Sequence, residues 1–306
     1  MQRASFHQGE LQAQALAGFS EVGGNIYSAM PDQHREFFAG LRYVFVGTLD
    51  DEQWPVATVF SGPPGFMRTP DAGHLRISAR RWEEDPAQAA LVPGQSVGLL
   101  GLDFSNRRRN RANGVISRTD KNRIEIAVNQ SFGNCPKYIQ VRDLSAVEPG
   151  PVTIERLAHL DVAARELISH ADTCFIASSS QAELAQGGVD ISHRGGRPGF
   201  VYLAGNTLWI PDFRGNRYMN TLGNLLIQPR AAMLFIDFER GDVLHLQGTT
   251  QVLWQQSPDN QWVEGAERYW RFDIERAWRF VNAFPLRAQN VDYSPHTLAT
   301  GLWTPA

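Results

Sequence analysis

Gly196-Arg197-Pro198-Gly199-Phe200 decides how this chain is read, because Gly62-Pro63-Pro64-Gly65-Phe66 shows the same pattern, G-x-P-G-F, 134 residues earlier. Leu102-Asp103-Phe104 returns as Ile236-Asp237-Phe238, and Gly114 as Gly248, at the same separation. Upstream the separation shortens to 130, where Arg35-Glu36 answers Arg165-Glu166 and Phe45 answers Phe175. A four-residue insertion in the first hairpin of the second copy would account for the change. Pro-Gly dipeptides mark turns in any fold, so shared turn grammar is the competing explanation. The common order and spacing of several independent features favour an internal duplication.

Working outward, each copy reads in one order. A short amphipathic helix (33–41, then 156–170) precedes an apolar strand (43–49, then 173–178) and a turn-rich section with further strands. A second helix (82–91, then 218–227), an apolar strand (97–104, then 231–238) and an alternating strand (110–116, then 243–252) complete it. Val243, His245 and Gln247 face one way and Leu244, Leu246 and Gly248 the other, the period of a half-buried strand. Many short strands with few helices predict a mainly β chain of two barrel-like domains, 1–150 and 151–306, joined near Glu148-Pro149-Gly150-Pro151. Packed as a pseudo-dimer, they would leave a groove between them.

The bulk numbers suit that reading. At 306 residues, 42% hydrophobic and 20% charged, the chain has material for one or two cores. Its 29 basic and 32 acidic residues leave a formal charge of −3, so no global field favours nucleic acid or an anionic membrane, and any anion site must be local. Two cysteines, Cys135 and Cys174, suit a reducing compartment. With no long apolar run and no signal-like N-terminus, a cytoplasmic location is expected.

The strongest chemistry lies in Pro211-Asp212-Phe213-Arg214-Gly215-Asn216-Arg217-Tyr218-Met219-Asn220, which runs into the helix ending near Gln228-Pro229. A glycine-containing turn feeding a helix N-terminus presents unpaired N–H groups, and two arginines add planar donor forks. A phosphate monoester suits such donors. The alternative is a solvated loop whose arginines pair with Asp212.

Together with Val189-Asp190-Ile191-Ser192-His193-Arg194-Gly195-Gly196 and Gln228-Pro229-Arg230, this segment resembles the FMN-binding split-barrel family related to pyridoxamine 5'-phosphate oxidase. The likeness covers most of residues 160–290. It implies two tandem split β-barrels with flanking helices and an FMN at their two-fold interface. The implied phosphate contacts are Arg194, Arg214, Asn216, Arg217 and Asn220, with Ser192, Pro211 and Asp212 along the isoalloxazine or ribityl chain. Asn134, Cys135 and Tyr138 belong to a second stretch resembling a motif of longer relatives near the flavin, and Arg287 to a similar C-terminal ending. Cys135 reads alternatively as a small buried hydrophobe ahead of a helix started by Pro136.

The first copy lacks a counterpart of Gly215-Asn216-Arg217 and carries Glu83-Glu84-Asp85 there, which implies one flavin per chain. It offers instead Arg107-Arg108-Arg109-Asn110-Arg111, in which alternation places Arg107, Arg109 and Arg111 on one face. That run reads equally as a ligand contact or as a charged edge that discourages aggregation. No Walker loop, dinucleotide fingerprint, metal-binding cluster or nucleophile elbow appears. The C-terminal substrate-phosphate motif of true pyridoxamine phosphate oxidases is also missing.

The resemblance therefore implies an FMN-dependent oxidoreductase with a small-molecule substrate and a nicotinamide or protein electron donor, and leaves pairing into a homodimer open. Two alternatives are a flavin- or haem-binding module without turnover, and haem degradation with His193 or His245 as axial ligand.

Overall fold

In both G-x-P-G-F segments the chain makes the same turn. Phe66 N–H donates to the Pro63 carbonyl and Phe200 N–H to the Arg197 carbonyl, each at 2.9 Å. Proline stands second and glycine third, at φ of 85° for Gly65 and 88° for Gly199, the conformation a type II turn requires of its third residue.

The computed structural model describes residues 5–20, 22–148, 150–181, 186–258 and 261–303. The chain begins with α1 (Gln8–Leu16) and α2 (Asp32–Gly40). Seven strands follow: β1 (Tyr43–Leu49), β2 (Pro55–Ser61), β3 (Met67–Asp71), β4 (His74–Ser78), β5 (Ser96–Asp103), β6 (Arg108–Asp120) and β7 (Arg123–Gly133). Then come β8 (Val141–Ala146), β9 (Thr153–Leu157), α3 (Val162–His170), β10 (Thr173–Ser179), β11 (Val189–Gly195), β12 (Tyr202–Ala204) and β13 (Thr207–Phe213). The last elements are α4 (Asn220–Ile227), β14 (Arg230–Ile236), β15 (Val243–Leu253), β16 (Ala266–Val281), β17 (Leu286–Asp292) and α5 (Pro295–Leu298).

The chain is mainly β and forms several antiparallel sheets. One has the strand order β2-β1-β5-β6-β7-β4-β3, the other β11-β10-β14-β15-β16-β13-β12 with β9 added to β16. Counted from β10, the second order is the first. Strands β8 and β17 pair as a separate ribbon. Five residues join β1 to β2 and nine join β10 to β11, which locates the four-residue difference in that connection; residues 182–185 within it lie outside the description, as does Pro149 at the expected joint.

Three sequence expectations are corrected. No helix spans 82–91, because Pro86 disfavours helical backbone at Asp85 and the Asp85 carboxylate accepts from Ala87 N–H at 2.8 Å, closing a turn instead. The helix expected at 156–170 starts at Val162, capped by Asp161. Residues Arg156 and Leu157 ahead of it pair with Trp278 and Ala277. Strand β15 is buried on both faces from Val243 to Gly248, since the face expected to be solvated meets the other sheet, where Gln247 Nε2 donates to the Pro55 carbonyl at 3.1 Å.

Each sheet has its own apolar core, and a third cluster is shared, with Phe45, Ala57, Leu100 and Leu102 from one half against Phe175, Ile191, Ala232 and Leu234 from the other. At its centre Phe45 and Phe175 stack 3.6 Å apart at 16°. They occupy corresponding positions, Phe45 opposite Leu100 and Phe175 opposite Leu234. Among the described residues no helix is long and apolar enough to cross a membrane.

Phe45 is fully buried, so Phe45→Ala should cost about 3–5 kcal/mol of unfolding free energy, the usual range for truncating a core phenylalanine. Urea titration measures it; a loss under about 1 kcal/mol would mean that the seam is loosely packed.

Candidate functional site

Where β6 of the first sheet lies against β11 of the second, a polar network crosses the seam. Arg111 Nη1 meets Asp190 Oδ1 at 3.0 Å, and its Nη2 donates to Ser192 Oγ. Asn113 Nδ2 donates to Asp190 Oδ1 at 2.8 Å, and Asn224 Nδ2 of α4 to Asp190 Oδ2 at 3.2 Å. Ser192 Oγ and Thr221 Oγ1 are 2.7 Å apart. One carboxylate thus ties together β6, β11 and α4.

Above this network lies a cleft with about 830 Å³ of empty space, counting its open mouth. Arg109 and Arg111 enter it from β6, Ser192, His193 and Arg194 from β11, and Pro211, Asp212 and Phe213 from β13. Gly215, Asn216, Arg217 and Met219 of the loop 214–219 and the first turn of α4 form another wall. That loop holds Arg217 at φ 66° and Met219 at φ 61°, left-handed conformations rare outside glycine and typical of functional loops. Met219 leads into α4 without a side-chain cap, and Asn220, Thr221 and Leu222 of the uncapped turn line the cleft.

The charges are unevenly balanced. Asp212 bridges Arg194 at 2.9 Å and Arg268 at 2.5 Å, and Glu267 pairs with Arg268 at 3.1 Å, so that end is neutralised. Arg111 has Asp190. Among the described residues Arg109 has no carboxylate within ion-pair distance, and its Nη1 donates to the His193 carbonyl at 3.3 Å. Burial first, and then the charge of Arg111 with a smaller push from Arg194, lower it to about 9 against the opposing pull of Cys135. A guanidinium does not give up its proton at neutral pH, so this shift marks a place where an anion would be favoured. Nε of Arg109, Arg111 and Arg194, Asn134 Oδ1 and His193 Nε2 are all buried without a hydrogen-bond partner among the described residues, and all five residues line this cleft. Burial and the neighbouring arginines hold His193 well below its usual value, as a neutral ring.

Of the residues singled out from sequence, Ser192, Arg194, Pro211, Asp212, Asn216, Arg217, Asn220, Asn134, Cys135 and Tyr138 line the cleft together. Arg214 does not; it is exposed, and its carbonyl accepts from Tyr138 Oη at 3.3 Å. Tyr138 is raised to about 12, chiefly by burial, and stays a neutral phenol. Cys135 is half-buried and no helix follows Pro136. Arg287 does not line the cleft: β17 pairs with β8, and Arg287 donates to the Phe284 carbonyl and to Asn282 Oδ1.

Arg107 does not share the face of Arg109 and Arg111, because it sits at φ 61° before β6 begins and pairs with Asp292 at 2.9 Å. His245 is fully buried with its Nε2 accepting from Ala57 N–H at 3.2 Å, away from the cleft. Sequence reading gave Arg109 and Arg111 only an undecided role and missed Thr221, Glu267 and Arg268. The alternation of β6 was the signal for the two arginines.

Strand register also identifies the corresponding place on the other side of the seam. There Val56, Thr58, Val243 and His245 stand where Asp190, Ser192, Arg109 and Arg111 stand in the cleft. Thr58 Oγ1 donates to the buried Asp85 carboxylate at 2.6 Å, and Ala87 and Ala90 pack on Val56. The segment carrying the three acids fills this side and brings no arginine from β15.

No described protein family matches this sequence, and no curated protein does. Among solved structures, similarity is found to HupZ of Group A Streptococcus at 12% identity, covering 39% of this chain and 92% of that one with a TM-score of 0.30. The haem storage protein HutZ of Vibrio cholerae matches at 14% identity, 41% and 96% coverage and a TM-score of 0.28. An FAD-binding protein of Mesorhizobium loti matches at 9% identity, 42% and 98% coverage and a TM-score of 0.29. With identities and TM-scores this low, the reading of the site rests on its own geometry.

Beneath the cleft, burial first and the nearby Asp190 next raise the Glu10 carboxyl from 4.5 to about 8. The folded chain therefore holds a proton that the unfolded chain has released. This contribution to stability is complete below pH 4.5 and is lost as the pH climbs to about 8. Denaturant midpoints measured across that range should fall more steeply for the natural chain than for Glu10→Gln; parallel curves would show that Glu10 ionises freely.

Proposed function

We propose that the seam cleft binds FMN, one per chain, and that the protein is a flavin-dependent oxidoreductase built of two fused split-barrel units. The observation that carries this reading is the set of unpartnered buried polar atoms on Arg109, Arg111, Asn134, His193 and Arg194 in one cleft, beside an uncapped helix N-terminus. The three arginine Nε–H groups are donors, which are normally satisfied when buried, and a phosphate monoester would satisfy several at once, whereas Asn134 Oδ1 accepts and would meet a donor elsewhere on the ligand. Arg109, Arg111, Arg217, Asn216 and Asn220 would hold the phosphate. Pro211, Phe213, Met219 and Leu222 give the same cleft an apolar wall suited to a planar ring, with Tyr138 tilted against Phe213 at 5.4 Å.

When bound, the flavin supplies the hydride or electron transfer. The chain's own residues anchor the anion, orient the ring and keep the anchoring end from water. No side chain is needed as a nucleophile. The filled counterpart across the seam supports a single cofactor per chain. A small-molecule substrate and a nicotinamide or protein donor complete the proposal.

One observation favours a second reading. His193 lines the cleft as a neutral imidazole with its Nε2 unpartnered, the state in which histidine ligates haem iron. A Soret band on adding haem that disappears in His193→Ala would support it.

The chain purified from its source should be yellow and release FMN on denaturation. Arg109→Gln should weaken FMN binding by about 10–100-fold, the worth of a charge-assisted hydrogen bond, and Arg217→Glu should abolish it with the fold retained. A colourless chain that gains no thermal stability from added FMN would refute the assignment.

A further inference from the structure

The loop 214–219 is held from outside the cleft by side chains of residues 6–20 and by Asn25, which belong to the other half of the chain. Arg217 lies over the Phe19 ring at 4.3 Å from its centroid. Gln14 Nε2 donates to the Tyr218 carbonyl at 3.2 Å, Asn25 N–H donates to Tyr218 Oη at 3.1 Å, and Phe6 meets the Tyr218 ring edge-on at 5.3 Å. Glu10 accepts from Asn220 Nδ2, and His7 Nε2 is 2.9 Å from Asn224 Oδ1. None of these N-terminal side chains lines the cleft.

Helix α1 approaches α4 so closely that no side chain fits at the crossing. A Cβ on Gly9 would lie 2.4 Å from the Gly223 carbonyl, and one on Gly223 would lie 2.6 Å from Glu10 Cα. A left-handed backbone at both Arg217 and Met219 costs about 1–3 kcal/mol for each residue and persists only when the surroundings impose it. The N-terminal segment supplies much of those surroundings, beside Tyr138 at the Arg214 carbonyl, Asn216 Oδ1 at the Tyr218 N–H, and Phe132 against the Tyr218 ring.

We infer that residues 6–20, with Asn25, act as a clasp that sets the anion-binding loop in advance, with Phe19 as the positioning residue for the Arg217 guanidinium and Glu10 and Gln14 as those for the loop backbone and the first turn of α4. A preset loop binds its anion without first having to order itself, so the clasp raises affinity while touching no ligand. The ring face of Phe19 attracts the guanidinium by its quadrupole, which an aliphatic side chain of similar volume lacks.

The test uses the full chain, with Gly9→Ala to lift α1 from α4, Phe19→Leu to remove the ring, and Phe19→Trp to keep an aromatic face. Hydrogen exchange is read without ligand, so this arm does not depend on the cofactor assignment. Amides of residues 214–224 should exchange about tenfold faster in Gly9→Ala, with the rest of the second sheet unchanged. The affinity arm rests on the proposed cofactor and uses FMN itself. Phe19→Leu should lose about fivefold in affinity, the worth of a partly buried cation–π contact, and Phe19→Trp should restore it.

Unchanged exchange in Gly9→Ala and Phe19→Leu, or faster exchange spread evenly over the chain, would overturn the clasp. Failure of the natural chain to bind FMN, with the exchange result intact, would remove the cofactor and leave the clasp standing.

Discussion

The ion pair between Arg111 and Asp190 is the constraint on which the site depends. Both side chains are buried, and they belong to different sheets. Separating a buried pair leaves an uncompensated charge at a cost of about 3–5 kcal/mol, so docking of the two halves is favoured where this arginine meets this carboxylate. Asn113 and Asn224 add to the carboxylate's contacts, and Ser192, itself bonded to Thr221, takes one guanidinium donor while Arg111 Nε faces the cleft unpartnered. The register of β6 against β11 follows, and with it the position of α4.

Once Arg111 is placed, the rest of the cleft follows from strand geometry. Side chains two apart on a strand share a face, so Arg109 enters the same space, where no carboxylate among the described residues pairs with it. Ser192 and Arg194 on β11 obey the same rule. The polar seam is affordable because an apolar seam lies beside it, with Phe45 stacked on Phe175 and aliphatic residues from both sheets closing around them. Two sheets of one topology therefore enclose one cationic cleft and not two, because the chemistry at corresponding positions differs. A histidine and a valine replace the arginines, and the Asp85 carboxylate lies on the other side already engaged by Thr58.

The loop before α4 depends on distant chain in the same way. Its left-handed residues, its uncapped helix start and Arg217 are contacted by residues 6–20 and Asn25, about 200 positions away in sequence. This arrangement explains why α1 has both Gly9 and a buried Glu10, features with no evident purpose in an isolated helix.

The amino-acid sequence by itself determined what short-range rules govern. The paired proline–glycine turns, the apolar strands at β1, β5, β10 and β14, and the glycine- and arginine-containing entry to α4 were legible because turn chemistry and strand period act within a few residues. Ten of the twelve residues singled out as cofactor contacts do meet in one cleft. Tertiary structure alone decided that Arg109 and Arg111 complete it and that Arg107 and Arg287 do not. It also decided that α1 crosses to the other half, and that a mixed-polarity strand such as β15 is buried on both faces. Those outcomes depend on what an arginine or a strand face meets across the seam, and a partner separated by tens to hundreds of residues leaves no periodic trace in the local sequence.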